Sequence, residues 1–115
     1  MTTMTSQSPG LRLGIIVLTV ATAAIHLYLG LSSGLPLFVL NALGYLALLA
    51  ALYGPIPQLA PYRNAVRWLL VGFAALTIVL WLAITGGNST AIGYADKAVE
   101  LLLIVLLIAE AHASG

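Results

Sequence analysis

Apolar and polar positions in this chain do not alternate. They segregate into four long apolar runs, at about 11–31, 35–53, 65–85 and 93–111, separated by short polar or Pro- and Gly-rich pieces. Each run is close to the ~20 residues that a helix needs to cross roughly 30 Å of hydrocarbon. Buried strands are the competing reading, but runs this long and this rich in Leu and Ala favour helix. A helix also satisfies its own backbone in lipid, which an open sheet cannot do. The connectors agree. "SSGLP" (32–36) predicts a tight turn with Pro36 opening the second helix, "GPIPQLAPYRN" (54–64) a stiff non-helical link, and "GGNST" (86–90) a loop. Links this short make successive helices antiparallel neighbours. The pattern therefore predicts an all-α, integral membrane, up-down-up-down four-helix bundle over 11–111, with a polar tail at 1–10 and a short C-terminal tail at 112–115.

Composition strengthens that reading. Of 115 residues, 62% are hydrophobic and 6% charged, whereas a soluble domain carries about 25% charged residues. A net charge of +1 gives no basic cluster for nucleic acid. The absence of cysteine excludes disulfides, thiolate catalysis and Cys-ligated metals. Arg12 followed by "LGIIVLTVATAA" imitates a signal peptide. The apolar run continues through His26 to Leu31, longer than such a segment, and is expected to stay as a helix.

Charge sets the expected orientation. Arg12, Arg63 and Arg67 lie on one side, and Lys97, beside Asp96, on the other. The positive-inside rule then places both termini and the 54–64 link in the cytoplasm, as a multi-pass protein of the cell membrane. Trp68 and Tyr53 are the expected inner aromatic belt; Tyr28 and Tyr94 mark the outer one. The sequon Asn88-Ser89-Thr90 falls on the outer side.

Four apolar helices need no polar groups to span, so the exceptions carry the chemistry. His26, Asn41, Thr77, Trp81, Asp96, Lys97 and Glu100 all lie one to two turns inside the outer ends of their helices, in one layer. On the first helix Thr19, Thr22, Ala23, His26 and Gly30 share a stripe; on the second Asn41, Gly44, Tyr45 and Leu48 do. Such stripes face protein rather than lipid. Glu100 is expected to pair with Lys97 on its own helix or with a protonated His26 across the bundle, a pair able to hold or exchange one proton. The alternative is that one polar contact simply fixes helix register, with Asp96 and Lys97 reaching up to the headgroups. A metal site is not expected, because only His26, Asp96 and Glu100 could converge. His112, near Glu110, is expected to serve with it as the cytoplasmic helix terminus at the interface. Gly30, Gly44, Ala47, Gly72 and Ala75 are small positions for helix packing, within the bundle or against another subunit.

Three resemblances follow. "IHLYLG", "FVLNALGYLALLAALY" and "DKAVELLLIVLL" resemble a diffuse group of uncharacterised four-span prokaryotic membrane proteins over residues 14–109, which implies the fold. Chain length and span count are superficially similar to small multidrug-resistance transporters, which use a glutamate in their first helix. Here the first helix has no acid and the deep one is Glu100, so that mechanism does not carry over. His26 with Thr22 four residues before it resembles the ligating position of antenna polypeptides, which implies a possible tetrapyrrole at His26. No triad or phosphate loop is present and no enzyme activity is expected. The leading expectation is an accessory subunit that packs among lipids and other membrane subunits or copies of itself. The alternatives are a small proton-coupled carrier using Glu100 and His26, and a tetrapyrrole- or carotenoid-binding protein using His26.

Overall fold

The computed structural model describes residues 9–86 and 90–113. Four helices carry almost all of them: α1 (Pro9–Ser33), α2 (Pro36–Tyr53), α3 (Arg63–Thr85) and α4 (Ala91–Ala113). Each packs against its sequence neighbours, and α1 also packs against α4. The cross-section is thus a closed antiparallel ring, with α1 facing α3 and α2 facing α4 across its diagonals.

The helix ends follow local chemistry. α1 includes Pro9 and Gly10, expected in the polar tail, since proline fits a helix's first turn, where the N–H needs no partner. The α1–α2 turn closes with Gly34 at φ +68° and the Leu35 N–H donating to the Gly30 carbonyl at 3.0 Å. Leu35 is the N-cap of α2 rather than its first residue, and Pro36 starts the helix. The 54–64 link is not wholly irregular. Pro57–Tyr62 form a short 3-10 helix and Arg63 already opens α3, since a proline is tolerated where the preceding carbonyls lack partners. Gly86, at φ +65°, caps α3. Thr90 caps α4, its Oγ1 accepting from the Gly93 N–H at 3.3 Å. α4 runs past the expected 93–111 at both ends and includes His112. Asn88 and Ser89 of the sequon lie outside the described residues.

The distribution of polarity is the reverse of a soluble protein. Leu13, Leu31, Leu40, Leu69, Ile84 and many other large apolar side chains are exposed. Five of the seven charged residues, Arg67, Asp96, Lys97, Glu100 and Glu110, are buried. In water such groups are almost always outside. α1, α2 and the segment Pro57–Thr85 are long and apolar enough to cross a membrane. α4 is as long as α3 but carries Asp96, Lys97, Glu100 and Glu110, and it turns all four into the bundle while Leu101, Leu102 and Val105 face out. The core between them is Ile15, Ala42, Leu52, Leu70, Leu103 and Leu107, among others. It separates two polar clusters, one near each end of the ring.

Candidate functional site

The larger cluster lies toward the end opposite the termini. α1 presents Ile15, Thr19, Thr22, Ala23, His26 and Gly30 to the interior, the period of one helical face. α4 presents Gly93, Asp96, Lys97, Glu100 and Leu103 in the same way. Because α1 and α4 adjoin, Thr22 and His26 meet Asp96 and Glu100.

The hydrogen bonds interlock. The Thr22 hydroxyl donates to Asp96 Oδ1 at 2.6 Å. Tyr45, fully buried on α2, donates its hydroxyl to Glu100 Oε2 at 2.6 Å from across the ring. Lys97 Nζ donates to Glu100 Oε1 at 2.5 Å and sits 3.2 Å from Asp96 Oδ2. Its ammonium also lies 5.5 Å from the Trp81 ring centre, within cation–π range. Asp96 and Lys97 therefore do not reach for the headgroups. A carboxylate one turn from another carboxylate and beside an ammonium is held inside by that pairing, which offsets the cost of leaving water.

His26 completes the group. Its Nδ1 is 2.8 Å from the Thr22 carbonyl, so that nitrogen carries a proton and donates it. Nε2 then faces Asp96 Oδ2 at 3.5 Å and Glu100 Oε2 at 3.9 Å. A neutral ring would oppose a lone pair to two carboxylates. A proton on Nε2 turns the same arrangement into an ion pair. Asp96 and Glu100 against Lys97 leave one negative charge, which one added proton within the cluster cancels. Atoms of His26, Asp96 and Glu100 that could ligate a metal lie within 4.8 Å of one another. A divalent ion beside Lys97 would instead leave an excess positive charge in low dielectric, so the set fits a proton better.

A cavity of about 240 Å³ adjoins the cluster. Six of the seven polar residues singled out from the sequence line it: His26, Asn41, Thr77, Trp81, Asp96 and Lys97. Glu100 lies one helical turn below. Leu37, Phe38, Leu80 and Ile84 supply apolar wall. Asn41 Nδ2 donates to Thr77 Oγ1 at 2.8 Å, and Thr77 donates its one hydroxyl proton to the Phe73 carbonyl at 2.8 Å. That order fixes the amide, since Thr77 has no second proton to give. Asn41 Oδ1 is left as a buried acceptor without a partner among the described residues, able to accept from a donor group of a solute.

The site does not suit a tetrapyrrole. Both nitrogens of His26 are committed, one to a carbonyl and the other toward two carboxylates. The ring is 4% exposed and packs edge-on to Phe38, with centroids 5.9 Å apart. The cavity is also below the ~300–1,000 Å³ of pockets for drug-sized ligands. The ligand it fits is smaller.

The second cluster was missed in the sequence. Glu110 is buried in the bundle rather than forming an interfacial terminus with the exposed His112. It accepts from Arg67 Nε at 2.8 Å and from the Tyr53 hydroxyl at 2.7 Å. Arg67 also donates to Asn64 Oδ1 at 3.0 Å. Tyr53 is thus a partner within the bundle rather than only a belt residue. Among the small positions, Gly30 and Gly44 are packed, against Val39 and Phe73. Ala47, Gly72 and Ala75 face outward and take no part in packing within the ring.

No protein-family model, curated protein or solved structure matches the chain.

Proposed function

We propose that the protein is a small four-span proton-coupled carrier of the cell membrane, with both termini cytoplasmic, that binds a small cationic or hydrogen-bond-donating solute in the outer-leaflet cavity. The observation that carries this reading is that Asp96, Glu100, Lys97 and His26 balance in charge only with one added proton, and line or underlie a cavity. A solute cation reaching Asp96 takes over the role of that added proton, so the two compete for one place. Asn41 Oδ1 supplies a free acceptor, and the Trp81 face a surface that attracts cations. Ionisable groups placed inside membrane helices and beside a cavity mark such pathways. The outward-facing apolar side of α4 supports its being a fourth span, and the arginines at the terminal end support the orientation.

The test is proton flux in proteoliposomes that enclose a pH-sensitive dye. The probes are guanidinium and tetramethylammonium, which keep their charge at any working pH. An inward gradient of either should drive protons out through the wild type. Glu100→Gln, which keeps size and removes the exchangeable charge, should reduce the flux to the rate of empty liposomes while eluting as a folded species. Equal flux through wild type, variant and empty liposomes would overturn the reading.

The accessory-subunit reading has one specific observation in its favour. Gly72 has open space where a side chain would project, and Ala47 and Ala75 are exposed. Small residues on an outer helix face are what a neighbouring helix packs against.

A further inference from the structure

The terminal end of the bundle carries three arginines, Arg12 on α1 and Arg63 and Arg67 on α3, grouped around Tyr53 and its neighbours. Arg67 is buried and satisfied by Glu110 and Asn64. The other two are held differently. The Arg12 guanidinium lies 4.8 Å from the Tyr53 ring centre, held by its π face. Arg63 donates Nε to the carbonyl of Leu52, the residue before Tyr53, at 2.9 Å. Neither has an acid partner among the described residues. Glu110 is the only acid at this end of the described chain, and Arg67 and Tyr53 use it. The cluster of three arginines and one glutamate therefore carries two uncompensated positive charges.

We propose that this end holds the phosphate headgroup of an anionic phospholipid, gripped between Arg12 and Arg63 over Tyr53. Four features argue for a lipid. The contacts that fix the two guanidiniums use the π face of one and the Nε of the other, and so leave their terminal N–H groups to form the forked bonds that suit phosphate oxygens. Arg12 sits in the first turn of α1, whose next outward residues, Leu13 and Val17, are 62% and 55% exposed and offer an apolar track for an acyl chain. The Tyr53–Glu110–Arg67 bonds lock the platform from behind. Unpaired arginines at the end of apolar helices also lie at the depth of lipid headgroups. The site shares no residue with the cavity at the other end, so it stands or falls separately from the carrier reading.

Native mass spectrometry of the full chain, released from a non-ionic detergent, measures the binding. The probes are phosphatidylglycerol, phosphatidylcholine and inorganic phosphate. Phosphatidylglycerol should bind at least tenfold more tightly than phosphatidylcholine, and millimolar inorganic phosphate should not displace it. Arg12→Gln, at an exposed side chain, should weaken phosphatidylglycerol about fivefold, and Arg12→Gln with Arg63→Gln about 30-fold, at roughly one basic contact's worth each. Equal affinity for the two lipids, or unchanged affinity in the double variant, would overturn the proposal. Displacement by inorganic phosphate would overturn it in favour of a free-phosphate site. Should the double variant not fold, the Arg12→Gln measurement decides alone.

Discussion

At the scale of single residues, every buried charge in this protein is answered by a specific partner. Arg67 and Glu110 are 4% and 5% exposed and joined at 2.8 Å. Removing one member of such a pair leaves the other charged and buried, at a cost of about 3–5 kcal/mol, whereas removing both can be nearly neutral. Glu110→Gln should thus lower thermal stability in detergent much more than Arg67→Met with Glu110→Met does. Equal losses would mean that the pair is solvated rather than buried. The polar cluster at the other end was largely legible in the sequence, because His26 and Glu100 fall on helical stripes with small residues and cannot face lipid. Tyr45 was not read as a partner. A tyrosine on a core stripe looks the same whether its hydroxyl is bonded or not, and only the depth match between α2 and α4 reveals the 2.6 Å bond to Glu100. Glu110 was misread for a related reason. Near a helix end an acid beside a histidine reads as an interfacial group, but residues two apart project to different sides, and Glu110 turns inward while His112 turns out.

At the scale of elements, the helices were legible from apolar run length, and their ends only to within a few residues. Pro9, Pro57 and Pro61 read as breaks, but proline also fits the first turn of a helix, and that alternative prevailed for Pro9 in α1 and Pro57 in the 3-10 segment, while Pro61 sits inside that short segment just before α3. The small residues look alike in sequence and behave differently in packing. A Cβ on Gly30 would lie 2.8 Å from Val39 Cγ2 and 3.0 Å from the Val39 backbone nitrogen. The turn that joins α1 to α2 holds that backbone in place, so it cannot yield. Gly72 has nothing within 4 Å of the same position. Gly30→Ala should therefore destabilise by about 1–3 kcal/mol through overpacking. Gly72→Ala should stabilise by up to about 1 kcal/mol, because alanine favours helix. Thermal unfolding of the two variants side by side checks the sign; a shift in the same direction for both would show that helix propensity, not contact, governs these sites.

At the scale of the whole molecule, the ring has apolar residues outside, an apolar core at mid-length and polar clusters toward both ends. Sequence indicated the bundle but not its surroundings, because an outward leucine satisfies lipid and a partner helix equally. Ala47 on α2 and Gly72 and Ala75 on α3 are the exceptions, since lipid gains nothing from a small residue and a close-packed helix does. If a second helix lies there, its backbone approaches within the space that Gly72 leaves open. Gly72→Leu fills that space without touching the ring, so it should leave the fold and the polar clusters intact while removing any companion. A native gel in mild detergent should then show a smaller assembly for Gly72→Leu than for wild type, with Gly72→Ala at or near the wild-type size. Identical migration of all three would assign that face to lipid and leave the carrier reading without a subunit competitor. A loss of size would mean that the cavity and its proton site operate inside an assembly, and that flux should be measured on the assembly rather than on the single chain.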